Sequence, residues 1–292
     1  MSIVINTNVS SLVAQNNLST NTTALQKAMQ QISTGQKINS ASDDAAGLSI
    51  SESLKTQING NKKALSNIQN GSNLLGIAEG GQVTVGNHLQ RIRELCVQAA
   101  NETYTAADKT NILQEIKQRL ADINNISNST TFNGVALLNG TQASLFLQIG
   151  ANSDPTVNAL DIAPALSNVQ ISVLGGIAVP PGLAGIMIAA ATDGTTWTTA
   201  NIRTYMDKID TAISTITSNR ALLGAYGNRL QSTTANLSIM NTNLEDTKSR
   251  IMDSDIAESS SNMVKYQILQ KTSASILSQA NQLPSLALQL LG

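Results

Sequence analysis

The only histidine and the only cysteine of the chain lie close enough in sequence to suggest a nucleophile with its base. His88 directly precedes the segment LQRIRELCVQAAN (89–101), which holds Cys96. A thiol nucleophile needs its base within hydrogen-bond distance, whereas these two residues are separated by about two turns of a helix. Cys96 also continues an apolar seam with Leu89 and Ile92, where a cysteine behaves as a small buried hydrophobe. The spacing therefore argues against catalysis at Cys96.

Other constellations with known chemistry are missing from the sequence. One cysteine and one histidine exclude a disulfide framework and an ordinary zinc site. The sequence holds no HExxH motif, no P-loop and no glycine-rich dinucleotide motif. The acidic pair Asp43-Asp44 is interpreted as a helix start that is capped by Ser42 or Asp43. We expect a protein that is not an enzyme and that needs no cofactor or metal.

The balance of charge makes nucleic acid and membranes poor partners. The net charge is −1, which gives no electrostatic attraction to phosphates or anionic lipids. Arg91 and Arg93 lack aromatic neighbours, so they indicate a solvated helix face or a protein contact. Prolines and glycines interrupt the uncharged stretch 162–192, whose apolar part is too short to cross a bilayer. The N-terminus has neither a basic region nor a continuous apolar stretch, so no cleaved signal peptide is expected.

Both ends of the chain are uncharged but carry heptad seams. The first charged side chain is Lys27 and the last is Lys271. Near both ends of the chain, apolar residues recur at alternating spacings of four and three, as in a coiled coil. We expect the two terminal helices to pack on each other and then within a larger assembly. The predicted packing residues are Leu18, Leu25, Met29, Ile32, Leu269, Ile276, Leu283 and Leu290.

The middle of the chain predicts three further helices and a little β structure. Seams run through 54–99 and 201–251, and a shorter one within 106–128 turns Leu113, Ile116, Leu120 and Ile123 inward. The segment 144–150 alternates like a strand and follows two Asn-Gly pairs that favour turns. The predicted fold is mainly α: long antiparallel helices in a coiled-coil bundle with a small β-hairpin region, in which the terminal helices pair as an inner coiled coil.

Several segments resemble the signatures of bacterial flagellins, in family order and at family spacing. The segments are INTNVSSLVAQNNL near the start, ISTGQKINSASDDAAGLSIS (32–51), LQRIRELCVQAAN (89–101), EIKQRL (115–120), TFNGVALLNG (131–140), LQIGAN (147–152) and the whole C-terminal stretch 249–292. The resemblance covers most of both arms and implies a division into nested domains. Residues 1–43 and 253–292 would form the inner filament-core coiled coil, and residues 44–174 and 200–252 an outer helical domain with β-hairpins. Only 175–199 would remain as a surface-exposed variable insertion, so the chain resembles a short form that nearly lacks the variable outer domains.

The resemblance also implies a function and partners. The chain would be a structural subunit that polymerises with itself into the flagellar filament, an extracellular propeller for swimming. It would leave the cell unfolded through the type III export apparatus and fold its termini on assembly. An export chaperone, the filament cap protein and hook–filament junction proteins would be partners. The alternative within the same apparatus is that the chain is itself a hook–filament junction protein.

A further set of residues follows from the resemblance. The QRIREL stretch is similar to the region that the flagellin-sensing Toll-like receptor recognises, which implies roles for Arg91, Leu95 and Glu115. Gln90, Arg93 and Glu94 would complete a face for a receptor or for neighbouring subunits. The insertion also offers threonines as candidate sites of O-glycosylation, namely Thr192, Thr195, Thr196, Thr198 and Thr199.

Overall fold

The computed structural model describes residues 7–174 and 199–291, with side chains through residue 282. The described part is mainly helical, as predicted. The helices are α1 (Val9–Thr34), α2 (Ala45–Ala99), α3 (Ala106–Ser129), the short α4 (Pro155–Asn158), α5 (Thr199–Met252) and α6 (Ile256–Leu291). The strands are β1 (Thr131–Phe132), β2 (Val135–Ala136), β3 (Phe146–Gln148) and β4 (Ala159–Asp161), and a single 3₁₀ turn covers Ala163–Ala165.

By their contacts, the residues group into two compact units. One unit comprises 1–58 and 242–292, and the other comprises 59–241. Both limits fall inside the long helices α2 and α5, because a continuous helix can contribute to two cores. The functional domains predicted from the resemblance have other limits and stay a prediction.

Helices α1 and α6 pair in antiparallel fashion, which confirms that the two ends of the chain pack on each other. Asn8 Nδ2 donates to the carbonyl oxygen of Ala280 at 2.7 Å, near the start of α1. Further along, Asn21 Nδ2 donates to Ser273 Oγ at 3.0 Å. Beyond the end of α1, the amide of Ser254 donates to the carbonyl oxygen of Gly35 at 2.9 Å. The pairing therefore extends along most of both helices.

The most deeply buried residues between α1 and α6 are small. Among the described residues, the buried side chains of the pair are Ala14, Ala28, Ser259, Ser273 and Ala280, and small residues let the two backbones approach closely. Several predicted packing residues are exposed in the single chain: Met29 is 54% exposed, Leu269 37% and Ile276 52%. The seam between the two helices does not cover them, and their packing within a larger assembly stays a prediction. Leu18, Leu25 and Ile32 are half-buried, and the side chains of Leu283 and Leu290 lie outside the described residues.

Helices α2, α3 and α5 supply most of the core of the second unit. The four inward residues predicted for α3 are all buried, which confirms that helix: Leu113, Ile116, Leu120 and Ile123. Thr105 caps α3 and exchanges hydrogen bonds with Asp108 in a capping box, which satisfies backbone N–H groups that have no partner inside the helix. The α3 helix is thus positioned by both its buried face and its start.

The two hairpins lie where α2 has glycine. The β1–β2 turn is Asn133-Gly134, with φ of 49° and 80°, and β3 pairs with β4 from Phe146↔Asp161 to Gln148↔Ala159. A β-carbon on Gly60 would lie 2.7 Å from that of Ala151. Glycine is unfavourable inside a helix, but here it allows the following chain to lie directly on α2.

The start of α2 differs from the prediction by one or two residues. Asp44 caps the helix, because its Oδ1 accepts from the amide of Gly47 at 2.9 Å; Ser42 and Asp43 do not fill this role. Asp43 Oδ1 instead binds Lys27 Nζ at 2.8 Å. The hydrogen bond from Lys27, followed by that from the Asn39 amide, lowers the pKa of Asp43 to about 2. The carboxylate holds the connection between α1 and α2 in place.

Candidate interaction surfaces

A network of four charged side chains joins α2 and α3. Arg91 Nη1 binds Glu94 Oε2 at 2.9 Å, and Arg91 Nε binds Glu115 Oε1 at 3.3 Å. Arg119, one turn further along α3, donates to the same Glu115 oxygen at 2.9 Å. The sequence predicted Arg91, Glu94 and Glu115 at this face but missed Arg119, whose position four residues after Glu115 was an available signal.

The ion pairs favour the charged forms of Arg91 and Glu115, as the shifts in their pKa values indicate. Hydrogen bonds to Glu94 and then to Glu115 raise the pKa of Arg91. The hydrogen bond from Arg119, with a smaller contribution from Arg91, lowers the pKa of Glu115. All four side chains remain partly exposed, so their ion pairs contribute little to stability. They form a pattern of paired charges on the surface of α2 and α3.

Arg93 belongs to a different side of α2. Its guanidinium binds both carboxylate oxygens of Asp210 on α5, and that hydrogen-bonded pairing raises its pKa. Asp210 was not among the predicted site residues, because sequence alone does not give the register between α2 and α5. Gln90 is exposed near Arg91. The predicted face is therefore two neighbouring charged patches rather than one.

Leu95 is a correction to the predicted face. It was expected to be available to partners, but it is only 2% exposed in the single chain. Because α2 packs against more than one helix, it buries a wider stripe than a single seam would. A partner that touches Arg91 and Glu115 meets Leu95 only as part of the support beneath them.

Cys96 is a packing residue. Its side chain is fully buried, and this burial raises the pKa of its thiol to about 12. A protonated, inaccessible thiol is a poor nucleophile, in agreement with the sequence argument.

A second surface is apolar and lies on the terminal pair. Val9, Leu12 and Val13 are exposed on α1, on the side away from the seam with α6. Val264 and Ile268 are exposed in the same way on α6. Exposed apolar side chains grouped on one helix are candidates for contacts with a partner. The pairing of α1 with α6 therefore leaves both helices with an uncovered apolar face.

Metal sites, membrane spans and modification sites were the remaining features to locate among the described residues. The described residues contain no group of three or more metal-binding side chains, and none of their helices is long and apolar enough to span a membrane. Of the suggested glycosylation sites, Thr199 begins α5 and is half-buried. Thr192, Thr195, Thr196 and Thr198 lie outside the described residues.

Fold and surfaces together define a helical structural protein, built around long paired helices and suited to contacts with other proteins. Comparison with known sequences narrows this class. Residues 5–143 match the model of the bacterial flagellin N-terminal helical region, and residues 206–291 match that of the C-terminal helical region. A flagellin of Bacillus subtilis is 40% identical over 98% of this chain and 99% of its own length. A flagellin of Halalkalibacterium halodurans is 38% identical over 99% of this chain and its own full length.

The chain belongs to the flagellin family, and its 292 residues correspond to a short form without large outer domains. Its relatives are structural filament proteins, so it is a structural protein and not an enzyme. A solved structure described as a flagellar hook-associated protein of Vibrio parahaemolyticus has the same fold over 72% of this chain and all of its own. Its TM-score is 0.60 and its identity 16%, which speaks for the fold alone.

Proposed function

We propose that this chain is the repeating subunit of a flagellar filament and that the apolar faces of α1 and α6 are its principal assembly surfaces. The observation that carries the proposal is the exposure of Leu12 (56%) and Ile268 (59%) on the sides away from the α1–α6 seam. Burying such side chains against another copy stabilises the assembly through the hydrophobic effect. A surface that meets a different surface on the next copy propagates as an open helix.

The terminal helices also bear on how the subunit is exported and when its ends fold. The terminal helices have uncharged ends and a seam of small residues, so they bury little apolar area as an isolated pair. We infer that the ends are largely unfolded in the free subunit and fold against neighbours at the growing tip, where a cap protein would retain them. Export in an unfolded state, with a chaperone covering the C-terminal helix and no cleaved signal peptide, fits this behaviour.

The hook–filament junction role remains the alternative, because it requires the same paired terminal helices. Identity to flagellins of about the same length over nearly the whole chain favours the filament subunit. Junction proteins would then be partners at the base of the filament.

The assembly surfaces can be tested with the double variant Leu12→Gln/Ile268→Gln, in which glutamine keeps a good helix propensity. We expect the variant to fold its second unit normally but to fail to extend filament seeds, since two apolar contacts per copy are replaced by amides. Electron microscopy of seeded samples measures the filament length. The matched control is Leu12→Ile/Ile268→Leu, which keeps the apolar faces and should elongate. Filaments of normal length from the glutamine variant would contradict the proposal.

A further inference from the structure

The long interface between α2 and α5 is apolar except at two levels. Its buried residues are mostly Ile, Leu, Val and Ala, but Gln82, Asn219, Asn61 and Asn241 are buried among them. Amide side chains are costly to bury without partners. Four of them in one seam call for a physical explanation.

The four amides fall at two levels of the interface. The helices are antiparallel, so residues with higher numbers on α2 lie opposite residues with lower numbers on α5. Interpolation between observed contacts places Gln82 at the level of Asn219, and Asn61 beside Asn241. The contacts that set this register are Arg93–Asp210, Glu79–Arg220 at 3.8 Å and the hydrogen bond of Asn61 Nδ2 to Met240 Sδ at 3.4 Å.

Hydrogen bonding satisfies these amides only in part. Gln82 Nε2 and Oε1, Asn219 Nδ2 and Asn241 Oδ1 are buried and have no hydrogen-bond partner among the described residues. Two amides at one level can bond after a change of rotamer or share a water molecule. An amide that faces only hydrocarbon has neither option. The energy of each polar layer therefore depends on what lies opposite.

We propose that these four amides are positioning residues that fix the register of α2 against α5. In a heptad interface, a slip of seven residues places apolar side chains on apolar side chains again, so apolar packing distinguishes the registers weakly. The polar layers do distinguish them. After such a slip, Asn219 would face Leu75 or Leu89, and Gln82 would face Ala212 or Tyr226. A buried polar residue at a seam position is the best-attested means of setting register.

A single register has a consequence for any regular assembly. The level of α5 against α2 decides which charges meet, as in the pair of Arg93 and Asp210. Copies in different registers would present different surfaces and could not occupy equivalent positions. The proposal concerns folding within one chain and stands whether or not the chain forms filaments.

Cross-linking during refolding tests the register directly. In a Cys96→Ala chain, cysteines replace Arg93 and Asp210 to report the native register. Cysteines at Arg93 and either Thr217 or Arg203 report a slip of seven residues, and all these positions are exposed. The chain is refolded from urea, and a short thiol cross-linker is added early and late. With the native amides, we expect cross-links almost only in the 93/210 chain.

The polar layers are then removed by Gln82→Leu/Asn219→Leu, by Asn61→Leu/Asn241→Leu, and by both together. For each layer removed we expect the early slipped cross-link to rise about tenfold relative to the native one. The urea midpoint should rise at the same time, because buried unpaired amides have been replaced by leucine. This combination separates a positioning role from a merely structural one.

The matched control is Gln69→Leu/Asn228→Leu, which makes the same chemical changes at exposed positions of the same helices. It should leave the cross-linking pattern unchanged. Exclusive cross-linking at 93/210 in the variant that lacks both polar layers would overturn the proposal. So would an equal rise of the slipped cross-link in the control.

Discussion

Among single residues, Cys96 links burial to pH dependence most directly. Burial raises the pKa of its thiol from 9.0 to about 12, so the folded chain keeps a proton that the unfolded chain releases. The unfolded state therefore gains stability as the pH rises above about 9, and the contribution of the neutral thiol to folding is lost between pH 9 and 12. Below pH 9 the contribution is complete.

We expect the urea midpoint of the native sequence to fall more steeply between pH 8 and pH 10 than that of Cys96→Ala, since only the former releases the thiol proton on unfolding. Other groups that titrate in this range, tyrosine and lysine, are common to both chains and cancel in the comparison. Parallel declines in the two chains would show that burial does not hold the thiol proton.

Single residues also show where prediction from sequence succeeds and fails. Cys96 was correctly placed on the inward seam, because Leu89, Ile92 and Cys96 follow one heptad pattern. Leu95 was placed wrongly at the surface. A heptad pattern assumes one partner per helix, whereas α2 forms ion pairs with both α3 and α5 and shares one apolar core with them. The width of a buried stripe depends on tertiary neighbours that sequence periodicity does not reveal.

At the level of elements, replacing two different glycines of α2 by alanine should change the stability of the fold in opposite directions. A β-carbon on Gly76 meets nothing within 4 Å, whereas one on Gly60 would lie 3.2 Å from the Cα of Ala151 as well as close to its β-carbon. Gly76→Ala should stabilise the fold by about 0.5–1 kcal/mol through helix propensity. Gly60→Ala should destabilise it by about 1–3 kcal/mol, because the contacting backbone has to move.

Urea unfolding of the two variants beside the native chain measures both effects, and each variant is the control for the other. A gain of stability in both would show that the chain following β3 is not held closely on α2 at Gly60.

The elements themselves were largely predictable. Helix α3, the paired ends and the strand within 144–150 follow from periodicity and turn residues, which are local properties. The centre of the seam between α1 and α6 was not, because a heptad rhythm gives the spacing of the contacts but not the position that lies deepest. The single chain buries Ala28 and Ser273 and leaves Met29 and Ile276 exposed.

For the whole molecule, this division of surfaces connects folding with assembly. In the single chain, the second unit has a buried core of its own, whereas α1 and α6 keep exposed apolar side chains. The charged network at Arg91 and Glu115 forms within the single chain and needs no partner. We expect neighbouring copies to cover it in a filament, which would make the state of assembly decide whether an outside protein can reach it.

This expectation can be measured with cells that carry the flagellin-sensing Toll-like receptor. Depolymerised subunits should activate them, while intact filaments at equal mass should be much less active. Arg91→Ala should weaken activation by subunits about fivefold or more, because an arginine that anchors an interface contributes over ~1 kcal/mol of binding. Arg229→Ala, an exposed arginine on α5, should leave activation unchanged. Equal activation by the native chain and Arg91→Ala would place recognition elsewhere on the molecule, and full activation by stable filaments would mean that neighbouring copies leave this face open.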